Sequence, residues 1–457
     1  MNFRNALRIQ SGESISFSGA GGKTTALFTL ARELPDPVLV TTTTHFSVEQ
    51  LKLADNIRFS SQVQDAESFV NSLSPGITVL AGEEVNDQRV SGPSLHVLDQ
   101  IYQHTRSAGR NLLIETDGSR QRPLKAPASY EPVIPQFIDH AVVVVGLSAL
   151  GRPFSSRYVH RIEEFTRITS LSEGEEIPLE AITQVLTHPN GGLRGIPDNA
   201  RRICLINQAD NEMLQASAKR IAGSLLTEYD SIIIASLRRK GEEIRKSTVI
   251  DPVPGICEIY GVHEPITAVI LAAGGSTRMG NPKQLIPWQG TSLIRHVVSR
   301  VLISGVIHTI VVLGAYLDET RQEIEDLPVQ VVVNSNWEAG QSKSIQVGLE
   351  VTPENTGGVL FVLVDQPFVS VPLIRALIEK HAQTLAPVIV PLVDGQRGNP
   401  VLFDRSTIPD FKTIQGDSGG RQLFSRHQVT WVEWHDQKVL LDIDTEQDYQ
   451  GIDPGTG

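Results

Sequence analysis

Cysteine is nearly missing: the 457 residues hold two, Cys204 and Cys257, far apart and in no CxxC pair. That counts against a disulfide scaffold and against a zinc–cysteine centre. Basic charge is short as well, with 40 Lys+Arg against 52 Asp+Glu and a formal balance of −12. A nucleic-acid binder usually shows a basic face, so no nucleic-acid partner is expected. An acidic chain can still bind phosphate locally, through a glycine-rich loop and one lysine. Long hydrophobic runs are absent too. None reaches the roughly 18 residues of a membrane span, and MNFRNALRIQSGES has no apolar core of signal-peptide length. The expectation is a cytoplasmic protein with no membrane partner and small molecules as substrates. What remains is an ordinary globular composition, 40% hydrophobic and 20% charged, and chain enough for two or three domains.

Short apolar runs alternate with amphipathic segments. Strands are expected at 14–20, 37–43, 111–116, 140–146, 202–207 and 231–236, and again at 267–274, 309–314, 329–334, 358–365 and 387–393. Uninterrupted apolar strands suit sheets covered on both faces. Segments such as 292–305 and 371–383 supply the covering helices. Strand, helix, strand in succession predicts parallel βαβ units. The fold class is therefore α/β, with two Rossmann-like domains. Residues 251–265, DPVPGICEIYGVHEP, hold three prolines and two glycines and no clear period. They read as a linker between a first domain at 1–250 and a second at 266–450.

In the second half, TAVILAAGGSTRMGNPKQLIP (267–287) runs a buried strand into Gly274 and Gly275, then Arg278, Gly280 and Lys283. Backbone beside glycines can approach a ligand closely and aim its N–H groups at phosphate oxygens. Arg278 would match phosphate with a fork, and Lys283 with a point charge. The spacing is not GxGxxG, and no acidic residue ends the strand TIVVLG, so a nicotinamide-dinucleotide fold fits poorly. Asp365 closes the apolar run in FVLVDQPF, at the strand end where α/β sheets place ligands. Asp442 and Asp444 follow in VLLDIDTEQDY. If these carboxylates converge they can hold Mg²⁺ through hard oxygen ligands, and Mg²⁺ would offset charge on leaving pyrophosphate.

LAAGGSTRMGNPKQL (271–285) resembles the signature LAAGxSxRMGxxK of the molybdenum cofactor nucleotidyltransferases, within the nucleotide-diphospho-sugar transferase-like group. NSNWEAGQSKSIQVGL, VDQPF, RGNPVLF, GDSGGRQLF and DIDTEQDY are similar to later blocks in the same order. The resemblance spans essentially 265–450. It implies Mg²⁺-dependent transfer of a nucleotidyl group from an NTP to a phosphate acceptor, with release of pyrophosphate. The implied acceptor is molybdopterin bearing molybdenum. Carried over by position, Gly274 to Gly280, with Ala273 before them and Gly275 and Ser276 among them, would form the phosphate loop. Arg278 and Lys283 would grip the triphosphate, Asp365, Asp442 and Asp444 would hold the metal, and Ser342 and Ser344 would lie near the base. The alanine pair before Gly274 and the PKQL run resemble the CTP-using branch, which implies molybdopterin cytosine dinucleotide as product. The family often shows Gly-His-Pro where this chain has Gly398-Asn399-Pro400, and asparagine cannot take a proton near neutral pH.

Near the start, FSGAGGKTTALFTLA (17–31) follows a strand and opens a helix. Gly19, Gly21, Gly22, Lys23, Thr24 and Thr25 resemble a phosphate-binding loop, with N–H groups at a helix start, a lysine, and a hydroxyl for Mg²⁺. The pattern departs from GxxxxGK[ST] at Phe17. Glu115 and Asp117 look like Walker B acids. Asn207-Gln208-Ala209-Asp210 looks like the NKxD motif of GTPases, with glutamine for lysine. Together with TTTTH (41–45) and ETDGS, residues 10–240 resemble the accessory proteins of selenium-dependent molybdenum hydroxylases. That resemblance implies a P-loop-like, NTP-binding maturation domain, with an apo molybdenum hydroxylase as a partner.

Plainer roles compete. Asp365 and Asp210 could cap helices, and Ser342 and Ser344 could cap the helix they precede. Three functions stay open: a cytidylyltransferase acting on molybdopterin, the same chemistry with GTP or a sugar phosphate, and a non-catalytic chaperone that hands the molybdenum cofactor to a hydroxylase.

Overall fold

A computed structural model of the chain describes residues 1–238, 256–276 and 279–452. Contacts divide it into two compact units, Met1–His263 and Glu264–Gly457. No helix among the described residues is long and apolar enough to cross a membrane.

The first unit is built on a nine-stranded sheet. Its strands are β1 (Ser14–Gly19), β2 (Val38–Thr42), β3 (Asn56–Phe59), β4 (Ile77–Ala81), β5 (Leu112–Glu115), β6 (His140–Gly146), β7 (Arg201–Asn207), β8 (Ser231–Arg238) and β9 (Ile256–His263). In space they run β9-β8-β7-β6-β1-β5-β2-β4-β3. Every pairing is parallel except β8 with β9. HAVVVVG of β6 is buried at every position, as expected of a central parallel strand covered on both faces. β1 ends in the glycine turn that opens helix α1 (Lys23–Glu33). The linker reading of 251–265 needs correction: residues 256–263 form β9, antiparallel to β8 from Ile232↔His263 to Arg238↔Ile256. Residues 251–255 lie outside the described residues. The prolines fall outside β9, and only Gly261 lies within it, beside a one-residue irregularity in the pairing.

In the second unit the strands are β10 (Ile266–Ala272), β11 (His308–Leu313), β12 (Gln330–Val333), β13 (Gly358–Leu363), β14 (Val388–Val393), β15 (Gln396–Arg397), β16 (Val401–Asp404) and β17 (Val429–Trp434). Their order is β12-β11-β10-β13-β16-β14-β15, with β17 on β14. The run β12-β11-β10-β13 is parallel. Beyond it a strand not expected from the sequence, β16, inserts antiparallel between β13 and β14, which keep the same direction. Helices α2 (Leu293–Leu302), α3 (Gln341–Glu350) and α4 (Val371–Thr384) cover the sheet. α2 and α4 start on Ser292 and Ser370, each accepting a backbone N–H in its first turn. Trp288 packs edge-on to Phe368 at 5.5 Å, and Phe361, Phe403 and Phe411 pack together elsewhere in the unit. Buried Glu264, His381 and Asp404 meet at the amino end of β10, away from the end that carries the candidate site.

Candidate functional site

Chemistry collects at the carboxyl end of β10. The chain leaves that strand through Ala273, Gly274, Gly275 and Ser276, and a fully buried amide holds the turn. Gln284 Nε2 donates to Ala272 O at 3.0 Å and to Gly274 O at 2.7 Å, and Ser276 Oγ lies 3.3 Å from its Oε1. Ser276 Oγ also accepts from Lys283 N at 2.9 Å, so the turn and the lysine are braced as one piece. Gly275 lies against Trp337, whose ring would stand 2.6 Å from any Cβ at that position. Gly280 sits exposed at φ 72. Arg278 lies outside the described residues.

Lys283 Nζ is 2.5 Å from Asp365 Oδ2 and 3.2 Å from Asp444 Oδ1. Burial alone would lower its pKa, but the charges of Asp365 and Asp444 outweigh it and hold the ammonium above its ordinary value. Asp365 follows β13, and its carbonyl accepts from Ile443 N at 2.9 Å. That bond draws 442–444 alongside. Asp442 Oδ1 accepts from Gln366 Nε2 at 2.6 Å. Burial raises the Asp442 pKa, and Asp365 and Asp444 push it further, against the pull of the Gln366 bond. Asp365 and Asp444 therefore meet at one lysine, and Asp442 stands near enough to feel their charges. Asp365 Oδ1 is buried with no hydrogen-bond partner, an omission that ordinarily costs about 1–3 kcal/mol. An all-oxygen donor set with an unsatisfied buried oxygen fits a hard divalent cation such as Mg²⁺.

The competing helix-cap roles do not hold. α4 starts on Ser370, not Asp365, and α3 starts on Gly340. Ser342 and Ser344 are buried in the first turn of α3 and are committed to the protein. Ser342 Oγ donates to Gly416 O at 2.6 Å, and Ser344 Oγ accepts from Asn334 Nδ2 at 2.9 Å. The residues that sequence reasoning passed over are Gln284, Gln366 and Asn334. Two of them stand one position from an expected site residue, Gln284 after Lys283 and Gln366 after Asp365.

A second constellation lies in the first unit, where β1 meets α1. Lys23 Nζ donates to Gly19 O at 2.6 Å and lies 3.1 Å from Asp117 Oδ1. Asp117 Oδ2 pairs with Lys125 at 2.7 Å, Lys125 with Glu131 at 3.0 Å, and Glu131 with Arg161 at 2.6 Å. Burial would raise the Asp117 pKa, but Lys23 and Lys125 hold it below the usual carboxylate range. Glu115 moves the other way: burial raises it, and Lys23 and Thr24 only partly offset that. Thr24 Oγ1 donates to Glu115 Oε2 and accepts from Gln50 Nε2, both at 2.8 Å. The N–H groups of Gly19, Ala20 and Gly21 go to Asp117 Oδ2, Val144 O and Arg122 O at 3.1, 2.8 and 3.0 Å. Those of Lys23, Thr24 and Thr25, in the first turn of α1, have no intrahelical acceptor and can face an anion. At Gly21, φ is 83 and a Cβ would lie 2.3 Å from Gly146 N, so glycine is required there. The φ of 116 at Gly22 starts the helix. Asn207, from the NQAD run, ties this turn to the sheet: its Nδ2 donates to Gly21 O at 2.8 Å and its Oδ1 accepts from Leu237 N at 2.9 Å. Asp210 accepts from Ser236 at 2.5 Å, and the next helix is capped by Asn211 instead.

Two families match this chain: YqeC protein over residues 15–163, and MobA-like NTP transferase domain over 268–431. The uncharacterized protein YqeC of Escherichia coli (strain K12) is 33% identical over 208 residues, covering 44% of this chain and 79% of that protein. Nicotine blue oxidoreductase of Paenarthrobacter nicotinovorans is 30% identical over 196 residues, 40% of this chain and 95% of that one. A probable molybdenum cofactor guanylyltransferase of Bacillus cereus (strain Q1) is 23% identical over 189 residues, 40% of this chain and 92% of that one. The glycine turn, Lys283 and Asp365 thus fall within the matched NTP transferase domain. The chain is a member of the YqeC protein family through its first unit and of the MobA-like NTP transferase family through its second.

Proposed function

We propose that the second unit transfers CMP from CTP to molybdenum-bearing molybdopterin, giving molybdopterin cytosine dinucleotide and pyrophosphate, and that the first unit is a P-loop-like NTP-binding domain serving the maturation of molybdenum hydroxylases in the cytoplasm. The observation that carries the reading is the meeting of Lys283 with Asp365 and Asp444, beside a buried carboxylate oxygen of Asp365 without a partner. Kinship with a protein named for molybdenum cofactor guanylyl transfer supports the acceptor. Ala272-Ala273 ahead of the glycines supports CTP over GTP.

An oxygen of the acceptor's phosphate attacks the α-phosphorus. The bond from that phosphorus to the bridging oxygen breaks, its electron pair leaves on pyrophosphate, and a new diphosphate link forms. A phosphate monoester is largely ionised near pH 7, so the step needs no strong base, and Asn399 in place of histidine is no obstacle. Positioning and charge carry the rate. Asp365, Asp442 and Asp444 would hold Mg²⁺, which when bound supplies charge neutralisation on the phosphates. Lys283 grips the triphosphate while Gln284 keeps the turn at 273–276 in place, and Trp337 walls its outer side. In the first unit, Lys23, Thr24 and the first-turn N–H groups of α1 would hold the phosphates, with Glu115 and Asp117 behind them.

The test is product identification from the full chain, Mg²⁺, mixed NTPs and extracted molybdopterin, in parent and Asp365→Ala forms. The parent should consume CTP, release pyrophosphate and form the cytosine dinucleotide. Asp365→Ala should lose at least about a hundredfold in turnover, as expected when a group acting only on developing charge is removed. Equal pyrophosphate release by both would refute the metal assignment. Oxidation of a reduced pyridine nucleotide, or a stable complex with an apo-hydroxylase without pyrophosphate, would refute the transferase.

A further inference from the structure

Two cations near the nucleotidyltransferase site have no role in the chemistry above. Arg397 ends β15 and is half-buried; Arg421 is exposed on the turn Gly416–Ser425. Arg397 has its guanidinium over the Phe424 ring at 5.2 Å. Neither arginine forms a salt bridge among the described residues. Burial lowers the Arg397 pKa, and the Arg421 charge lowers it further. Arg421 stands on the same turn as Phe424, three residues before it, so the two charges come near each other; like charges near one another, one of them partly desolvated, gain from an anion that joins them.

The neighbours of each arginine lie on segments that also carry site residues. Gly398, directly after Arg397, packs on Val439 and Leu440, where a Cβ would lie 3.4 and 3.6 Å from their side chains. Val439 and Leu440 lead into Asp442 and Asp444. On the other side, Gly416 O accepts from Ser342 Oγ at 2.6 Å, and Asp417 Oδ1 accepts from Gln341 N at 3.2 Å. The turn carrying Arg421 and Phe424 is thus fastened to the start of α3. A guanidinium laid on an aromatic face keeps its N–H edge free, and that edge matches two phosphate oxygens.

We propose that Arg397 and Arg421 form the seat of the acceptor's phosphate monoester, placing it beside the carboxylate cluster for attack. The inference rests on the nucleotidyl-transfer reading and adds to it the residues that seat the second substrate's terminal phosphate monoester. Methyl phosphate is the probe, its binding to the full chain followed by phosphorus NMR line broadening. Phosphate held at other sites is common to all variants, so differences from the parent isolate the arginines. Arg397→Met and Arg421→Met should each bind methyl phosphate about tenfold more weakly, the usual size of a lost charge-assisted fork. Mg²⁺–CTP binding, measured by calorimetry, should be unchanged in both. Arg397→Lys, which keeps charge without the fork, should fall between parent and Arg397→Met. Equal methyl phosphate binding by parent and both methionine variants overturns the assignment, and so does a loss that carries CTP binding with it. Arg421 is exposed, so Arg421→Met decides the matter alone if Arg397→Met does not fold. A parent that releases no pyrophosphate from CTP, yet shows the arginine-dependent loss, would retire the transferase reading and keep the seat.

Discussion

Replacing Lys283 with methionine probes the electrostatics of the carboxylate cluster directly. The lysine side chain is 15% exposed, that of Asp365 20%, and that of Asp444 44%. Without the ammonium, Asp365, Asp442 and Asp444 face one another. Breaking a fully buried ion pair costs about 3–5 kcal/mol. Asp444 is open enough to solvent that its share must be discounted, which leaves about 2–3 kcal/mol for the loss. All four tryptophans, at 288, 337, 431 and 434, lie in the second unit, so tryptophan fluorescence during urea unfolding follows that unit alone. With a slope of about 2 kcal/mol per molar urea, the midpoint in EDTA should fall by roughly 1 M. Divalent cation should reverse the loss. The cluster stripped of its lysine is a stronger cation site, and a cation at a hundredfold excess over its Kd returns about 2.7 kcal/mol. The parent should respond far less, because Lys283 already occupies the carboxylates. A variant as stable as the parent in EDTA, or one that Mg²⁺ rescues no more than it stabilises the parent, would refute the reasoning.

Asn207→Ala strips the bonds to Gly21 O and Leu237 N and should cost the first unit about 2–3 kcal/mol. Hydrogen exchange in β1 and β8 should report it, while the tryptophan transition of the second unit stays where it was. Lys23→Ala should abolish NTP binding to the first unit in calorimetry, and unchanged binding would remove the lysine from the phosphate site. His160 is held down to about 4 by burial, then by the charges of Lys125 and Arg161. It stays neutral in the fold but takes a proton near 6.5 when unfolded. Stability is therefore full above pH 6.5 and falls as pH drops towards 4, by about 1–2 kcal/mol once solvent screening of a half-exposed ring is allowed for. Proton NMR should show the His160 ring untitrated at pH 5; a midpoint near 6.5 would overturn the assignment, and His160→Gln should flatten the slope.

Most parallel strands were legible because burial on both faces makes the whole run apolar; HAVVVVG of β6 is the clearest case, whereas ITVLA of β4 is buried throughout yet is not among the expected strands. β9 was hidden by its own punctuation, since PGICEIYGVH carries turn residues and an edge strand needs only one neighbour. β16 is VLFD, four residues with too little length for a period to show. The charged half of the site could be read for a related reason: an aspartate or lysine after a buried run stands out against its neighbours. The amide half could not. Gln284, Gln366 and Asn334 are uncharged, and only folding brings each to the atoms it serves. Serine shows the same gap from the other side. Ser342 and Ser344 stand at the edge of the expected pocket, yet their hydroxyls are committed to Gly416 and Asn334, which composition cannot reveal.

What decides the role of a polar atom here is which other group already claims it. In both units the lysine that should meet phosphate is claimed by an aspartate: Lys23 lies 3.1 Å from Asp117, and Lys283 lies 2.5 Å from Asp365. A phosphate that recruits either lysine must draw it away from a carboxylate, buried at Asp117 and half-buried at Asp365, and abandoning it is expensive. A bare anion leaves that cost standing. A phosphate that arrives with a divalent cation does not, because the cation takes the carboxylate as the lysine leaves it. The pairing that neutralises each site before substrate arrives therefore also favours a metal-bearing nucleotide over free phosphate.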